Sequence, residues 1–212
     1  MIHFLSIYFI LVPFIVGLLF FNKLSISSKV VFFNIAFSCI PQLLTAFFKD
    51  VKLPVLSYNL YIIVDCIFWF IYFFLLEVNT KKRIMIFSFF VINSLFILYF
   101  FTTTNINTVF IYQLVCINSF IHVLNITNYF YSLSLLKEPV YLTRISSFWY
   151  NAGLFFYASC TFMVFFFYFK INSHFTKGQL NQLWQIHGFF NFLMYFLFSV
   201  GLFKNKTERI VK

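Results

Sequence analysis

The sequence predicts an all-α, polytopic membrane protein that folds as a bundle of seven transmembrane helices. Of its 212 residues, 62% are hydrophobic and only 9% are charged, whereas roughly a quarter of the residues of a soluble domain are charged. The mean hydropathy of +0.92 agrees with this composition. Uninterrupted apolar runs fill nearly the whole chain, and each is close to the 20 or so helical residues that span a hydrocarbon core about 30 Å thick.

Seven runs reach this length. They are Ile2–Phe21, Val30–Phe48, Pro54–Leu76, Ile84–Phe101, Val109–Leu135, Ser147–Phe169 and Leu180–Phe203. A membrane β-barrel would show segments of about ten residues with alternating polarity, and these runs have neither feature. We expect the first run to be a helix rather than a signal peptide, because no basic residue precedes it. The connectors are short, so a single domain over residues 1–212 is predicted.

The basic residues predict the orientation of the bundle. If the N-terminus lies outside, eleven lysines and arginines fall on the cytoplasmic side and four on the outer side, as the positive-inside rule requires. The cytoplasmic set is Lys23, Lys29, Lys81, Lys82, Arg83, Lys137, Arg144, Lys204, Lys206, Arg209 and Lys212. The net charge of +10 then reflects topology and contact with anionic lipid headgroups. It gives no indication of nucleic-acid binding.

Several chemical classes find no support in the sequence. The four cysteines stand singly in different apolar runs, where they act as small packing residues. No glycine-rich phosphate loop and no serine elbow is present. We therefore predict no catalytic residue, no metal and no cofactor. Because the chain has only five glycines, its helices must pack through aromatic and polar contacts, which favours a looser bundle that contains a cavity.

Polar side chains within the apolar runs are the most informative residues, because ionisable groups at membrane depth usually face the bundle interior. Three runs place such residues on one helical face, at steps of three or four. The third run aligns Tyr58, Tyr61, Asp65, Trp69 and Tyr72; the fifth aligns Asn118, His122, Asn125 and Tyr129; and the seventh aligns Trp184, His187, Asn191 and Tyr195. These stripes predict the inner faces of the three helices.

The residue depths predict a polar pocket that opens outward around Asp65 and His187. A rise of 1.5 Å per residue places these two side chains at similar depth in the outer half of the membrane, with Gln42 in the same layer. His122 and Asn125 are expected one layer deeper. The predicted ligand-binding residues are Asp65, His187, Trp69, Tyr61, Asn118, His122, Asn125, Asn191 and Gln42. Alternatively, the polar residues satisfy one another and hold the helices together without binding a ligand.

Three short segments resemble the small seven-helix membrane proteins of Bacteroidota that often accompany sensor kinases. The similar segments are Tyr61–Phe74 with its acidic residue, Phe148-Trp149 through Tyr157, and Leu183–His187 through Asn191. The acidic residue of the third helix is more often glutamate in that family, whereas this chain has Asp65. The family has no established reaction, so the resemblance implies a membrane accessory or sensory role and transfers no catalytic residue.

Together these features predict a non-enzymatic protein integral to the bacterial inner membrane. It would bind a small ligand, a lipid or a partner membrane protein in a sensory or accessory role. One alternative is a small-solute or proton-coupled transporter, since Pro41-Gln42 followed by Lys49 resembles the motif of the PQ-loop transporters. Another is an intramembrane metal-dependent hydrolase of the ceramidase and adiponectin-receptor class, although the paired histidines of that class are missing from the last helix.

Overall fold

The fold is given by a computed structural model that describes residues 8–47, 55–106, 109–135, 141–171 and 176–205. Within these ranges the structure is helical and contains no β-strand, which confirms the predicted all-α class. The helices of the described residues are α1 (Leu11–Phe20), α2 (Ile26–Phe47), α3 (Val55–Leu76), α4 (Thr80–Thr103), α5 (Tyr112–Ser134), α6 (Ser146–Ile171) and α7 (Lys177–Lys204). Short 3-10 turns at Phe21–Lys23 and Leu142–Arg144 precede α2 and α6.

Polar caps extend two helices beyond the apolar runs that predicted them. Helix α4 begins four residues early, because the Asn79 side chain accepts a hydrogen bond of 2.9 Å from the Lys81 N–H. Helix α7 begins at Lys177, because Thr176 and Gln179 form a capping box. Hydropathy does not detect such polar first turns. Residues 2–7 of the first predicted run lie outside the described residues.

The helices form a closed ring in chain order. Each helix contacts the next one in the chain, and α7 contacts α1. Helix α3 also contacts α5, so α4 lies at the edge of the ring. Only 11% of the apolar window of α4 is buried, against 33–44% for those of α3, α6 and α7. Helices α1 and α7 run parallel, since Phe9 packs on Phe192 and Phe20 packs on Phe203.

Two glycines allow aromatic rings to pack directly on helix backbone. A Cβ at Gly201 would collide with the ring of Tyr150, and a Cβ at Gly17 would collide with the ring of Phe32. Both rings are buried, and Tyr150 has no exposed surface. Contacts between a ring and a glycine thus bring α6 to α7 and α2 to α1. In this chain they replace some of the contacts between small residues that usually hold membrane helices together.

Among the described residues, four helices are long and apolar enough to cross a membrane. They are Val55–Leu76, Thr80–Thr103, Ser146–Phe167 and Asn181–Lys204. A shorter apolar segment covers Leu11–Lys23. These lengths and compositions support the predicted membrane-integral character of the protein.

Candidate functional site

A large cavity of about 580 Å³ lies among α2, α3, α5, α6 and α7. Its volume is in the range of small-molecule sites, roughly 300–1,000 Å³. The walls combine aromatic rings, such as Trp69, Phe165 and Phe198, with polar side chains from all five of these helices. Among the described residues, no lysine or arginine lines it. The cavity is thus lined largely by apolar groups, with its polar groups at defined positions.

The Asp65 carboxylate accepts hydrogen bonds at one wall of the large cavity. Its Oδ1 accepts from Asn34 Nδ2 at 3.1 Å and from Trp69 Nε1 at 2.9 Å. Its Oδ2 accepts from Asn118 Nδ2 at 3.0 Å and lies 3.3 Å from His122 Nε2. These five residues, which we call the Asp65 hub, connect α2, α3 and α5. The hub therefore joins three helices through one side chain.

The hydrogen bonds of the hub suit an ionised Asp65. An ionised carboxylate only accepts hydrogen bonds and offers about four lone-pair positions. Asn34, Trp69 and Asn118 fill three of them, and His122 Nε2 lies 3.3 Å from Asp65 Oδ2, where it can fill the fourth. The Asp65 side chain is 18% exposed, whereas that of His122 is 7% exposed. The carboxylate is consequently satisfied by the protein before any ligand arrives.

The structure pairs Asp65 with His122, whereas the sequence predicted a pocket around Asp65 and His187. His187 also lines the large cavity, but it packs against rings, with centroids 5.4 Å from Tyr157 and 5.9 Å from Trp184. Helix α3 contacts α5 directly, while α7 faces it across the cavity. Depth along the membrane normal does not reveal which helices are neighbours. His122 was expected deeper in the membrane than Asp65, but the two side chains are in contact and therefore lie at similar depth.

A second set of polar side chains lies next to the hub, after Asn34 on α2 and before Asp65 on α3. Gln42 Nε2 donates to Tyr195 OH at 2.8 Å, and the hydroxyls of Ser38 and Tyr61 are 2.7 Å apart. The Oε1 of Gln42 is buried and has no hydrogen-bond partner among the described residues. Gln42 lines the large cavity, but this oxygen has almost no accessible surface, so a ligand with a hydrogen-bond donor reaches it only after the side chain rotates.

Eight of the nine predicted ligand-binding residues line the large cavity. These eight are Gln42, Tyr61, Asp65, Trp69, Asn118, His122, His187 and Asn191. The ninth, Asn125, lines a separate small cavity of about 10 Å³ next to His122. The prediction omitted Asn34 and Ser38, which also line the large cavity. The spacing of Asn34, Ser38 and Gln42, four residues apart on α2, was the sequence signal for this fourth polar stripe.

The described part of the chain contains no group of three His, Cys, Asp or Glu side chains that could hold a metal ion. Asp65 and His122 form a pair without a third such ligand nearby. No family model, curated protein or solved structure matches the chain. The geometry of the site is therefore the basis for the function proposed below.

Proposed function

We propose that the protein is a non-enzymatic ligand-binding protein of the bacterial inner membrane with a sensory or accessory role. The observation that carries the proposal is the large cavity, which is already formed in the structure. At one of its walls the Asp65 carboxylate accepts hydrogen bonds from the protein itself. Asp65 already has four internal partners, and the described walls hold no lysine or arginine. A cationic or anionic ligand would therefore find no free counter-charge there. The cavity favours a small, uncharged, amphipathic molecule.

The available polar groups refine this ligand class. Gln42 lines the large cavity, and its Oε1 atom, which is able to accept a hydrogen bond, has no partner among the described residues. Aromatic rings from α3, α6 and α7 surround the rest of the space, including Tyr58, Phe165 and Phe198. A molecule with one hydroxyl or amide donor and an apolar body satisfies both features. An uncharged lipid metabolite or a similar membrane-soluble compound belongs to this class.

The same proposal includes seven membrane spans with the N-terminus outside. Asn205, just after α7, donates to Ser28 at 2.8 Å and to Ser146 at 3.0 Å, so α7 ends where α2 and α6 begin. Lys82, at the start of α4, donates to Ser132, at the end of α5. The described basic residues at this end of the bundle are Lys23, Lys29, Lys81, Lys82, Arg83, Arg144 and Lys204. The positive-inside rule places this end in the cytoplasm.

Helix α5 is not among the four helices that are apolar enough by composition to cross a membrane, but its buried polar residues explain this and are consistent with a membrane span. Its polar residues Asn118, His122 and Asn125 are all buried within the bundle. Its exposed surface includes the apolar Phe120. A helix that keeps its polar side chains inside can face lipid with the rest of its surface.

Native mass spectrometry of the protein, released gently from its own membrane, tests this function. We expect a small molecule bound in stoichiometric amount to the wild-type chain. Ala158→Leu extends a side chain into the large cavity and should remove that mass. Ala152→Leu makes the same change on α6 at a residue outside the cavity lining and should retain it. A wild-type chain without a bound molecule, or a ligand retained equally by both variants, would contradict the proposed site. Stoichiometric zinc would contradict the non-enzymatic assignment.

A further inference from the structure

The small cavity next to His122 is separate from the proposed ligand site. It lies among α3, α4 and α5, and its volume of about 10 Å³ is near the minimum that a single water molecule requires. Its polar lining includes Asn93, Asn118, His122 and Asn125. A water molecule is held in a protein interior when such a space offers two to four polar partners. Whether a water molecule is bound therefore depends on which polar atoms of the lining residues lack partners within the protein.

The charge of Asp65 determines how two asparagines are oriented. Because the carboxylate only accepts, Asn118 must direct its Nδ2 toward Asp65 and its Oδ1 away from it. Asn118 Oδ1 then accepts from Asn93 Nδ2 at 2.9 Å. This leaves Asn93 Oδ1 as a carbonyl oxygen without a hydrogen-bond partner among the described residues. The carboxylate of Asp65 thus fixes the orientation of the Asn118 amide, and Asn118 fixes the orientation of the Asn93 amide.

Two more residues of the same lining carry a buried polar atom that lacks a hydrogen-bond partner among the described residues. Among the described residues, neither Asn125 Oδ1 nor His122 Nδ1 has a hydrogen-bond partner. Asn93 is 1% exposed, and His122 and Asn125 are each 5% exposed. Buried polar atoms in native proteins almost always bond to protein or to ordered water. Three residues that line one small cavity each carry such an atom, which favours a common partner.

We propose that the small cavity binds one water molecule, which donates to Asn93 Oδ1 and Asn125 Oδ1 and accepts from His122 Nδ1. Both hydrogens of the water are used by the two carbonyl oxygens, so the histidine must supply the third. With Asp65 ionised, the hydrogen between Asp65 Oδ2 and His122 Nε2, which lie 3.3 Å apart, belongs to the histidine. His122 therefore carries hydrogen on both ring nitrogens and is a cation. The hub becomes a neutral carboxylate–imidazolium pair, which is less costly at membrane depth than an unpaired carboxylate.

Solid-state NMR of the full chain in lipid bilayers, with ¹⁵N-labelled histidine, tests this inference with water as the probe. The His122 signals are assigned by their loss in His122→Gln. We expect ¹⁵N shifts typical of two protonated ring nitrogens, and magnetisation transfer from water to Nδ1. A neutral ring whose Nδ1 shows no transfer from water would overturn the proposal. The variant serves only to assign the signals, and the protonation of His122 and its contact with water are read from the wild-type spectrum.

A variant pair locates the water. Asn125→Leu removes one acceptor from the small cavity and should abolish the transfer from water to His122 Nδ1. Asn128→Leu makes the same change on α5 at a residue outside this lining and should preserve it. Equal transfer in both variants would show that the water lies elsewhere and would also overturn the proposal. Neither measurement involves the ligand of the large cavity. A negative result here would therefore not contradict the proposed function, which native mass spectrometry tests separately.

Discussion

His122 Nε2 lies 3.3 Å from Asp65 Oδ2, and this contact joins α5 to α3 across the inside of the helical ring. The two residues are 57 positions apart in the chain. Asn34, Trp69 and Asn118 donate to the same carboxylate, so the pair lies within a network that is almost fully satisfied. Such networks make the effect of one residue depend on the others.

A double-mutant cycle measures this dependence. Asp65→Asn and His122→Asn should each destabilise the protein, and the double variant should lose less than the sum of the two. The expected coupling lies between about 0.5 and 2 kcal/mol, as for polar contacts within networks. Unfolding in mixed detergent micelles, followed by tryptophan fluorescence, gives these free energies. Asp65→Asn combined with His187→Asn is the control and should be additive. Equal coupling with either histidine would contradict the pairing.

The contact between Gly201 and Tyr150 predicts a large effect of a single methyl group. Gly201→Ala introduces a Cβ that collides with the Tyr150 ring, and overpacking of this kind costs about 1–3 kcal/mol. Gly178→Ala adds the same atom in α7, where its nearest neighbour is the Thr176 hydroxyl at 3.9 Å. That control should lose no stability, since alanine is favoured over glycine in a helix by up to about 1 kcal/mol. Thermal unfolding in detergent compares the two variants. Similar midpoints would show that the ring does not pack closely on α7.

Asn205 should anchor the end of α7. Its side chain donates to Ser25, Ser28 and Ser146 and accepts from the Ser25 N–H at 2.7 Å. Asn205→Ala leaves buried hydroxyls without this partner, and we expect a loss of about 1–3 kcal/mol. The exposed Asn181, near the start of α7, provides the control, and Asn181→Ala should have little effect. The same unfolding assay reports both values, and equal losses would contradict the anchoring role.

Reporter fusions test the proposed orientation. A fluorescent protein fused after Lys212 should fluoresce, because the C-terminus is expected in the cytoplasm. Alkaline phosphatase fused after Ile106, in the connector that follows α4, should be active, because that connector is expected outside. Exchanging the two reporters provides the control, since both signals should then disappear. Phosphatase activity after Lys212 would contradict the orientation.

The inner faces of three helices were readable from the sequence because helical spacing is local. Tyr61, Asp65 and Trp69 repeat at intervals of four residues, and such an interval places side chains on one face whatever surrounds the helix. The structure turns this face, and those of α5 and α7, toward the large cavity. The helix starts were less accurate, because Asn79 and Thr176 act through polar caps that hydropathy does not register.

The pairing of Asp65 was not readable, because it depends on which helices touch. A depth estimate from the sequence placed His187 beside Asp65, but the ring brings α3 against α5 and leaves His187 among aromatic side chains. The separation of Asn125 from the large cavity has the same origin, since Asn125 lies on the side of α5 that meets α4. Contacts between helices depend on the fit of whole surfaces, which one sequence pattern does not contain.

The sequence by itself determined that the chain is helical and membrane-integral, because the length and composition of apolar runs decide whether a segment is stable in lipid. It also determined which faces are polar, through the helical period. The tertiary structure decided that Asp65 pairs with His122, and that the polar residues divide between a large and a small cavity. These features arise from the order in which the helices close into a ring, and that order is fixed by packing between residues far apart in the chain.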